Sequence, residues 1–286
     1  MLDTYDFLGR IKFYASASQA AYCEARAGCR LFQDGLAQNA NEYFGVGFAV
    51  AGWQVEAFFG QTERYDTEGY IMHHHDLESV LVAFRGSDVT LGGGLIRDWV
   101  GTSFDIRTSE MSGERISGRV HNGFLSAFAE AWRGNRTDTI HAIIEKHQLG
   151  KKTFHLTGHS LGGALSQIAA ATLINHDYNV GSVTTFASPK VGKQDFANSY
   201  DEVLFDVTET VVCRDDPVPR LPSHSNDPYF LLGRILHMQG STMREGTVVQ
   251  SGNDIPFAKM PNPFHHRLEM DYFTTIASYD WSQVAT

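Results

Sequence analysis

The 286-residue sequence contains only three cysteines and lacks any apolar run of about eighteen residues, so neither a dense disulfide framework nor a membrane-spanning helix is expected. Basic residues are also scarce, with 23 Lys and Arg against 33 Asp and Glu and a formal net charge of -10. This balance argues against nucleic acid and anionic membranes as partners, while a neutral lipid interface stays open. No signal peptide is expected in the first twenty residues, which include Asp3, Asp6, Arg10 and Lys12.

The few cysteines and one histidine run carry little chemistry. Cys23 and Cys29 are close enough for a short bridge, whereas Cys213 falls in a predicted buried strand and is expected to be an inert core residue. Adjacent histidines in a strand point to opposite faces, and no ligand pair follows the run at 73–76. We therefore predict a solvated hairpin turn there and no metal site.

Composition and patterning indicate an ordinary globular α/β protein. Hydrophobic residues make up 42% and charged residues 20%, and the length suits one catalytic domain over residues 1–286. Strand-like and helix-like runs alternate, which predicts a mostly parallel central sheet flanked by helices. The predicted strands are 54–60, 69–73, 79–84, 153–157, 182–187 and 209–213, with a hairpin-like pair near 234–240 and 246–250.

The most informative segment is Gly158-His159-Ser160-Leu161-Gly162, placed between an apolar strand-like run and a run with helical spacing. Such a strand must turn into the helix with almost no room for side chains, so glycines flank the serine and its hydroxyl is pushed clear of the backbone at the strand's end. The short pattern is common by itself. Its strand-turn-helix context makes Ser160 a candidate nucleophile.

A nucleophilic serine needs a general base and an acid that orients the base, and both follow in the sequence. Asp215 and Asp216 come directly after the predicted strand 209–213, in a backbone stiffened by three prolines. His265 and His266 precede a helix-like stretch near the C-terminus. Either histidine of this pair is a candidate base.

With these candidate residues in order, the chain resembles the class 3 lipase family, the fungal-lipase type of α/β-hydrolase. Besides GHSLGG at 158–163, five motifs occur in family order: VAFRGS at 82–87, DW at 98–99, VHNGF at 120–124, ASPKVG at 187–192 and DPVP at 216–219. The resemblance implies an α/β-hydrolase fold and a serine hydrolase that acts on carboxylic esters, usually of lipids. It implies neither a metal nor an organic cofactor.

The resemblance also assigns roles. Ser160 matches the family's nucleophile and Asp216 its acid. His266 matches the base, because Leu268 and aromatic residues follow it, with His265 as the alternative. The oxyanion hole needs two backbone donors, one from Leu161 directly after the nucleophile and one from Ser87 in the family's motif after an earlier strand.

The segment at 91–101 matches the position of the family's lid, a surface helix that moves aside at a lipid interface. Three consecutive glycines at 92–94, within this segment and before its helix-like part, are suited to act as a hinge. The alternative is a fixed helix packed on the core. The apolar residues assigned to the lid and substrate contact are Leu91, Leu95, Ile96, Trp99 and Val100.

Triacylglycerol is the first expectation for the substrate. Phospholipase A1 activity and short-chain carboxylesterase activity, including feruloyl esterase activity, are the alternatives. A lipase-like interaction domain without catalysis is the remaining reading. It is disfavoured because the candidate serine, acid and base occur together.

Overall fold

The computed structural model describes residues 7–22, 52–60, 67–74, 77–87, 106–134, 138–213, 216–223, 226–239 and 242–246, together with Tyr272 and Ile276. In these stretches, no helix is long and apolar enough to cross a bilayer. The strands described there are β1 (Trp53–Phe59), β2 (Gly69–His74), β3 (Ser79–Phe84), β4 (Thr108–Met111), β5 (Gly118–His121), β6 (Thr153–His159), β7 (Asn179–Phe186), β8 (Thr208–Cys213), β9 (Arg234–Gln239) and β10 (Thr242–Gly246). The α-helices described there are α1 (Phe7–Ala20), α2 (Asn122–Arg133), α3 (Ile140–Lys146), α4 (Leu161–Asn175) and α5 (Gln194–Leu204).

Eight strands form one sheet in the order β1-β2-β3-β6-β7-β8-β9-β10. The five from β3 to β9 in this order are parallel, and antiparallel pairs flank them on both sides. This confirms the predicted mostly parallel sheet flanked by helices. Because parallel strands end at the same edge, the loops after β3, β6, β7 and β8 lie side by side at what we term the carboxyl edge.

The central strands are buried because helices cover both faces of the sheet. Along β3, Val80 and Val82 belong to the core cluster beneath α2 to α5, whereas Leu81 and Ala83 belong to the cluster beneath α1. This alternation follows from the two-residue period of a strand. Full burial of each aliphatic side chain stabilises the fold by about 1.5–3 kcal/mol, so the sheet is a rigid platform for the loops at its carboxyl edge.

The predicted strand 69–73 is confirmed and continues to His74, so the solvated turn predicted at 73–76 was wrong for His73 and His74. His73 and His74 lie in β2, which pairs with strands on both sides. His74 is buried against the ring of Trp53, with ring centroids 5.3 Å apart, while Nδ1 of His73 lies 2.6 Å from a carboxylate oxygen of Glu56. A strand in the interior of a sheet has no solvated turn at these positions.

The hairpin near the C-terminal side of the sheet differs from the prediction in its second strand. β10 spans Thr242–Gly246 and so begins four residues before the predicted start at 246, and Thr242 pairs with Gln239. Residues 247–250 of the predicted strand lie outside the described residues. Only two residues lie between Gln239 and Thr242 in the sequence, so β10 begins directly after a two-residue connection. The small β4-β5 hairpin was not predicted, because its strands have four residues each and little alternation.

Cys213 is fully buried at the end of β8, as predicted for a core residue. Cys23, Cys29 and the segment 91–101 assigned to a lid lie outside the described residues. That residues 1–286 form a single domain also stays a prediction.

Candidate active site

Ser160 occupies a sharp turn between β6 and α4 at the carboxyl edge. Its φ of 57° and ψ of -126° belong to a region that residues with side chains rarely adopt. Two backbone hydrogen bonds hold this geometry: the Ser160 N–H donates to the Phe186 carbonyl at 2.9 Å, and the Gly163 N–H donates to the Ser160 carbonyl at 2.9 Å. The turn therefore has the strained conformation that a nucleophile elbow requires.

Two of the glycines in this turn are needed for close packing. A Cβ at Gly158 would overlap the carbonyl group of Gly162, and a Cβ at Gly162 would overlap the carbonyl oxygen of Phe84 at the end of β3. Any side chain at either position would push the helix away from the strands. The pattern in the sequence thus reflects a steric requirement of the turn.

Asp216 lies at the same edge, after β8, and its side chain is fully buried. Its Oδ1 accepts a hydrogen bond from the Val218 N–H at 2.9 Å, and its Oδ2 accepts one from the Tyr272 hydroxyl at 2.7 Å. These donors fix the orientation of the carboxylate. Asp215, the alternative acid, lies outside the described residues.

Tyr272 is a site residue that the sequence analysis did not assign. Its hydroxyl accepts a hydrogen bond from the Cys213 N–H at 3.1 Å while it donates to Asp216. Complete burial and then the negative charge of Asp216 raise the pKa of Tyr272 well above its usual value, so the hydroxyl stays protonated as a donor. A tyrosine on the apolar face of a predicted helix was the available signal, because a buried hydroxyl needs a partner.

The two candidate oxyanion donors come from adjacent segments. Leu161 is the first residue of α4, where helix N–H groups lack partners within the helix. Ser87 follows β3, and the residue before it, Gly86, packs so closely on the elbow that a Cβ there would lie 2.5 Å from the carbonyl oxygen of His159. Both donors are half-buried at the carboxyl edge.

The strand order explains how these residues come together. Ser87, Ser160 and Asp216 follow β3, β6 and β8, and β7 separates the strand of Ser160 from that of Asp216. Neighbouring strands are about 4.8 Å apart, so the gap between serine and acid is roughly 10 Å across the sheet. An imidazole placed between them can bridge such a gap.

The remaining predicted site residues cannot be placed. The candidate bases His266 and His265 lie outside the described residues. The same holds for the residues assigned to the lid, Leu91, Leu95, Ile96, Trp99 and Val100. Within the stretches that the structure describes, no three His, Cys, Asp or Glu side chains form a group suited to a metal ion.

A pair of buried cations lies on the two loops that follow β7 and β8. Lys190 is 2% exposed and Arg220 is 8% exposed, and the Lys190 N–H donates to the Leu221 carbonyl at 2.7 Å. Burial and then the positive charge of Arg220 lower the pKa of Lys190 from 10.5 to about 8. The folded protein therefore binds the Lys190 proton more weakly than the unfolded chain does.

This difference predicts a stability that rises with pH. Below pH 8 Lys190 is protonated in both states and its burial destabilises the fold, by at most about 3 kcal/mol. Between pH 8 and 10.5 only the unfolded state keeps the proton, so the Lys190 contribution to the free energy of unfolding becomes more favourable. We expect Lys190→Met to be more stable than the parent at pH 7. Urea unfolding at pH 7–10 should show that its free energy of unfolding lacks the parent's rise with pH.

The exposed Lys151 is the matched control. Lys151→Met should keep the parent's dependence on pH, since it leaves the buried amine of Lys190 in place. If Lys190→Met and the parent showed the same slope between pH 8 and 10, the buried amine would not be the source of the effect.

The chain belongs to the class 3 lipase family, because the profile described as Lipase (class 3) matches residues 81–226, about half of the chain. Its sheet and elbow have the α/β-hydrolase arrangement of the fungal lipases.

Two curated relatives and one solved structure illustrate the similarity. Secreted mono- and diacylglycerol lipase 1 of Fusarium solani is 28% identical over 235 residues, which cover 79% of this chain and 64% of that protein. A lipase of Rhizomucor miehei is 27% identical over 179 residues, or 58% of this chain and 46% of that protein. The chain thus spans less than two thirds of these relatives. A solved triacylglycerol lipase, whose catalytic centre is described as a serine protease triad, has a TM-score of 0.62 at 21% identity and covers 91% of this chain and 92% of its own.

Proposed function

We propose that the protein is a serine hydrolase of carboxylic esters and that triacylglycerol is its first substrate class. The observation that carries this proposal is the strained Ser160 at the carboxyl edge, two strands from a buried, doubly hydrogen-bonded Asp216. Family membership and the mono- and diacylglycerol lipase name of a relative support the lipid ester class.

The proposed reaction proceeds through an acyl-enzyme. His266 accepts the proton of the Ser160 hydroxyl as Oγ attacks the ester carbonyl, and the N–H groups of Ser87 and Leu161 stabilise the negative charge on the carbonyl oxygen. The tetrahedral intermediate collapses as His266 protonates the departing alkoxide, which leaves an ester of Ser160 with the fatty acid. Water, deprotonated by the same histidine, then releases the acid and restores the serine.

In this scheme Asp216 holds the histidine in the orientation and tautomer that accept a proton. Its carboxylate is itself fixed by Val218 and Tyr272. We expect Asp216→Asn to lower kcat by about three to four orders of magnitude, because an amide can stabilise the wrong tautomer of the base. Steady-state hydrolysis of p-nitrophenyl butyrate measures the loss.

Asp215→Asn is the matched control for this prediction. Asp215 and Asp216 are adjacent in sequence, so both variants remove one negative charge from the same loop. The Asp215 variant should keep activity within a few-fold of the parent. A large loss for Asp215→Asn and a small one for Asp216→Asn would transfer the role of the acid.

Two measurements test the proposed function. An organophosphonate that labels active serines, followed by mass spectrometry, should modify Ser160 of the parent, whereas a non-catalytic interaction domain would stay unlabelled. A panel of p-nitrophenyl esters of increasing length, emulsified triolein, phosphatidylcholine and methyl ferulate then identifies the substrate class. Triolein should be hydrolysed best; the net charge of -10 argues against binding to anionic membranes and leaves such a neutral interface open. A preference for phosphatidylcholine, short esters or methyl ferulate would replace triacylglycerol by the corresponding alternative.

A further inference from the structure

The hydroxyl group of Tyr22 lies between the loop after β3 and the nucleophile elbow. It shares a hydrogen bond of 2.7 Å with Nδ1 of His159, the residue directly before Ser160. A Cβ at Gly86 would overlap the same hydroxyl oxygen. Tyr22 follows α1, so a third segment of the chain touches both segments that carry the proposed oxyanion donors.

The position of this contact matters because the two donors belong to different segments. Ser87 follows Gly86 directly, and Leu161 begins α4 two residues after His159. An oxyanion hole stabilises a transition state only when both donors lie about 2.7–3.1 Å from the same oxygen atom. The distance between the two segments must therefore be fixed to within a few tenths of an ångström.

Strand pairing does not reach the first donor. The ladder between β3 and β6 ends at the pair of Phe84 and Gly158, three residues before Ser87. Beyond it, the loop is held on one side by Arg85, whose N–H donates to the Glu68 carbonyl at 2.8 Å and whose Nη1 lies 2.5 Å from a Glu68 carboxylate oxygen. Tyr22 packs against the loop at the next residue, Gly86.

The imidazole of His159 extends this contact towards the acid. Its ring lies edge-on to the ring of Tyr272, with centroids 5.9 Å apart and an interplanar angle of 73°. Tyr272 in turn donates to Asp216. The buried imidazole of His159 thus contacts Tyr22, which packs on the loop of Ser87, and Tyr272, which binds the carboxylate of Asp216.

We propose that Tyr22 is a positioning residue for ester hydrolysis: its hydroxyl, bound to His159 and packed on Gly86, fixes the Ser87 donor relative to the Leu161 donor. This inference rests on the proposed serine hydrolase function. Removal of the hydroxyl should allow the two segments to shift, which weakens the stabilisation of the developing oxyanion. Binding of the uncharged ester depends little on this alignment, so the loss should appear in kcat rather than KM.

The experiment compares Tyr22→Phe with Tyr14→Phe. Both tyrosines contact β6 from the α1 region of the chain, but the Tyr14 hydroxyl bonds to Ser182 at 2.5 Å and lies near His155, towards the opposite end of β6. After titration of active sites with the phosphonate, Tyr22→Phe should lower kcat for p-nitrophenyl butyrate about 10- to 100-fold with KM within about twofold. Tyr14→Phe should lower Tm by a similar amount and keep the kcat of the parent.

A transition-state analogue and a second variant separate positioning from stability. Affinity for a trifluoromethyl ketone, which forms an oxyanion on Ser160, should fall by the same factor as kcat/KM in Tyr22→Phe. His159→Phe keeps a ring against Tyr272 but lacks Nδ1, so it should reproduce the loss. The double variant of Tyr22→Phe and His159→Phe should lose no more kcat than either single variant, because each change removes the same hydrogen bond between the two side chains.

The outcomes that overturn the proposal differ from those that overturn the proposed function. If the parent is labelled at Ser160 and Tyr22→Phe keeps kcat within twofold, the hydroxyl has no positioning role. Equal losses of kcat in Tyr22→Phe and Tyr14→Phe would show a general effect of stability. Absence of labelling in the parent would instead reject the serine hydrolase itself.

Discussion

Replacing Ser160 by alanine is expected to lower ester hydrolysis by roughly four to six orders of magnitude while the fold is kept. The hydroxyl is the proposed nucleophile, and water positioned by the remaining groups is a far weaker substitute. Ser160 is 1% exposed, and its N–H and carbonyl make the hydrogen bonds of the turn, so removal of the hydroxyl leaves these bonds in place. Turnover of p-nitrophenyl butyrate and thermal unfolding measure the two parts of the prediction.

Ser166→Ala is the matched control for this variant. Ser166 is also a buried serine of the elbow region, and its hydroxyl donates to the Gly162 carbonyl at 2.7 Å within α4. Its loss should change stability slightly and turnover at most a few-fold. Retention of turnover within tenfold of the parent by Ser160→Ala would exclude Ser160 as the nucleophile.

The second large effect is expected for the base. His266→Ala should lower kcat about as strongly as Ser160→Ala, since a serine without a general base is a weak nucleophile. Tyr272 supports this role, because it comes only six residues after His266 in the sequence and its hydroxyl donates a hydrogen bond to Asp216. Hydrolysis of p-nitrophenyl butyrate with and without added imidazole provides the measurement, and partial rescue by imidazole is expected.

His265→Ala is the paired control, because it removes the adjacent imidazole from the same segment. Its activity should stay within a few-fold of the parent. The opposite pattern would assign the base to His265. Small effects in both variants would mean that neither residue of the pair is the base and would reject the proposed triad.

Much of the architecture was predictable because it depends on short-range patterns. Alternating strand and helix signals predicted the parallel sheet, and the order of motifs indicated the family. The turn at Ser160 was predictable for a steric reason: side chains at Gly158 or Gly162 would overlap backbone that the turn itself brings close. Chain order then placed Ser87, Ser160 and Asp216 after parallel strands, and hence at one edge of the sheet.

Other predictions failed where neighbouring strands decide the environment. A run of histidines followed by Asp76 has the polarity of a turn, yet β1 and β3 pair with β2 through His73 and draw His73 and His74 into the sheet. The start of β10 depends similarly on its pairing with β9. At the histidine run, strand pairing across the sheet overrides local polarity.

The sequence by itself determined the class of site, because the elbow and the motifs are local patterns whose steric and chemical requirements can be recognised in a few residues. Only the tertiary structure decided which side chains support that site. The hydroxyl of Tyr272 meets Asp216 across 56 positions, and the hydroxyl of Tyr22 meets His159 across 137. Such pairs have no signature in sequence spacing, since they form only when the packing of the sheet and its covering helices brings distant segments to the same edge.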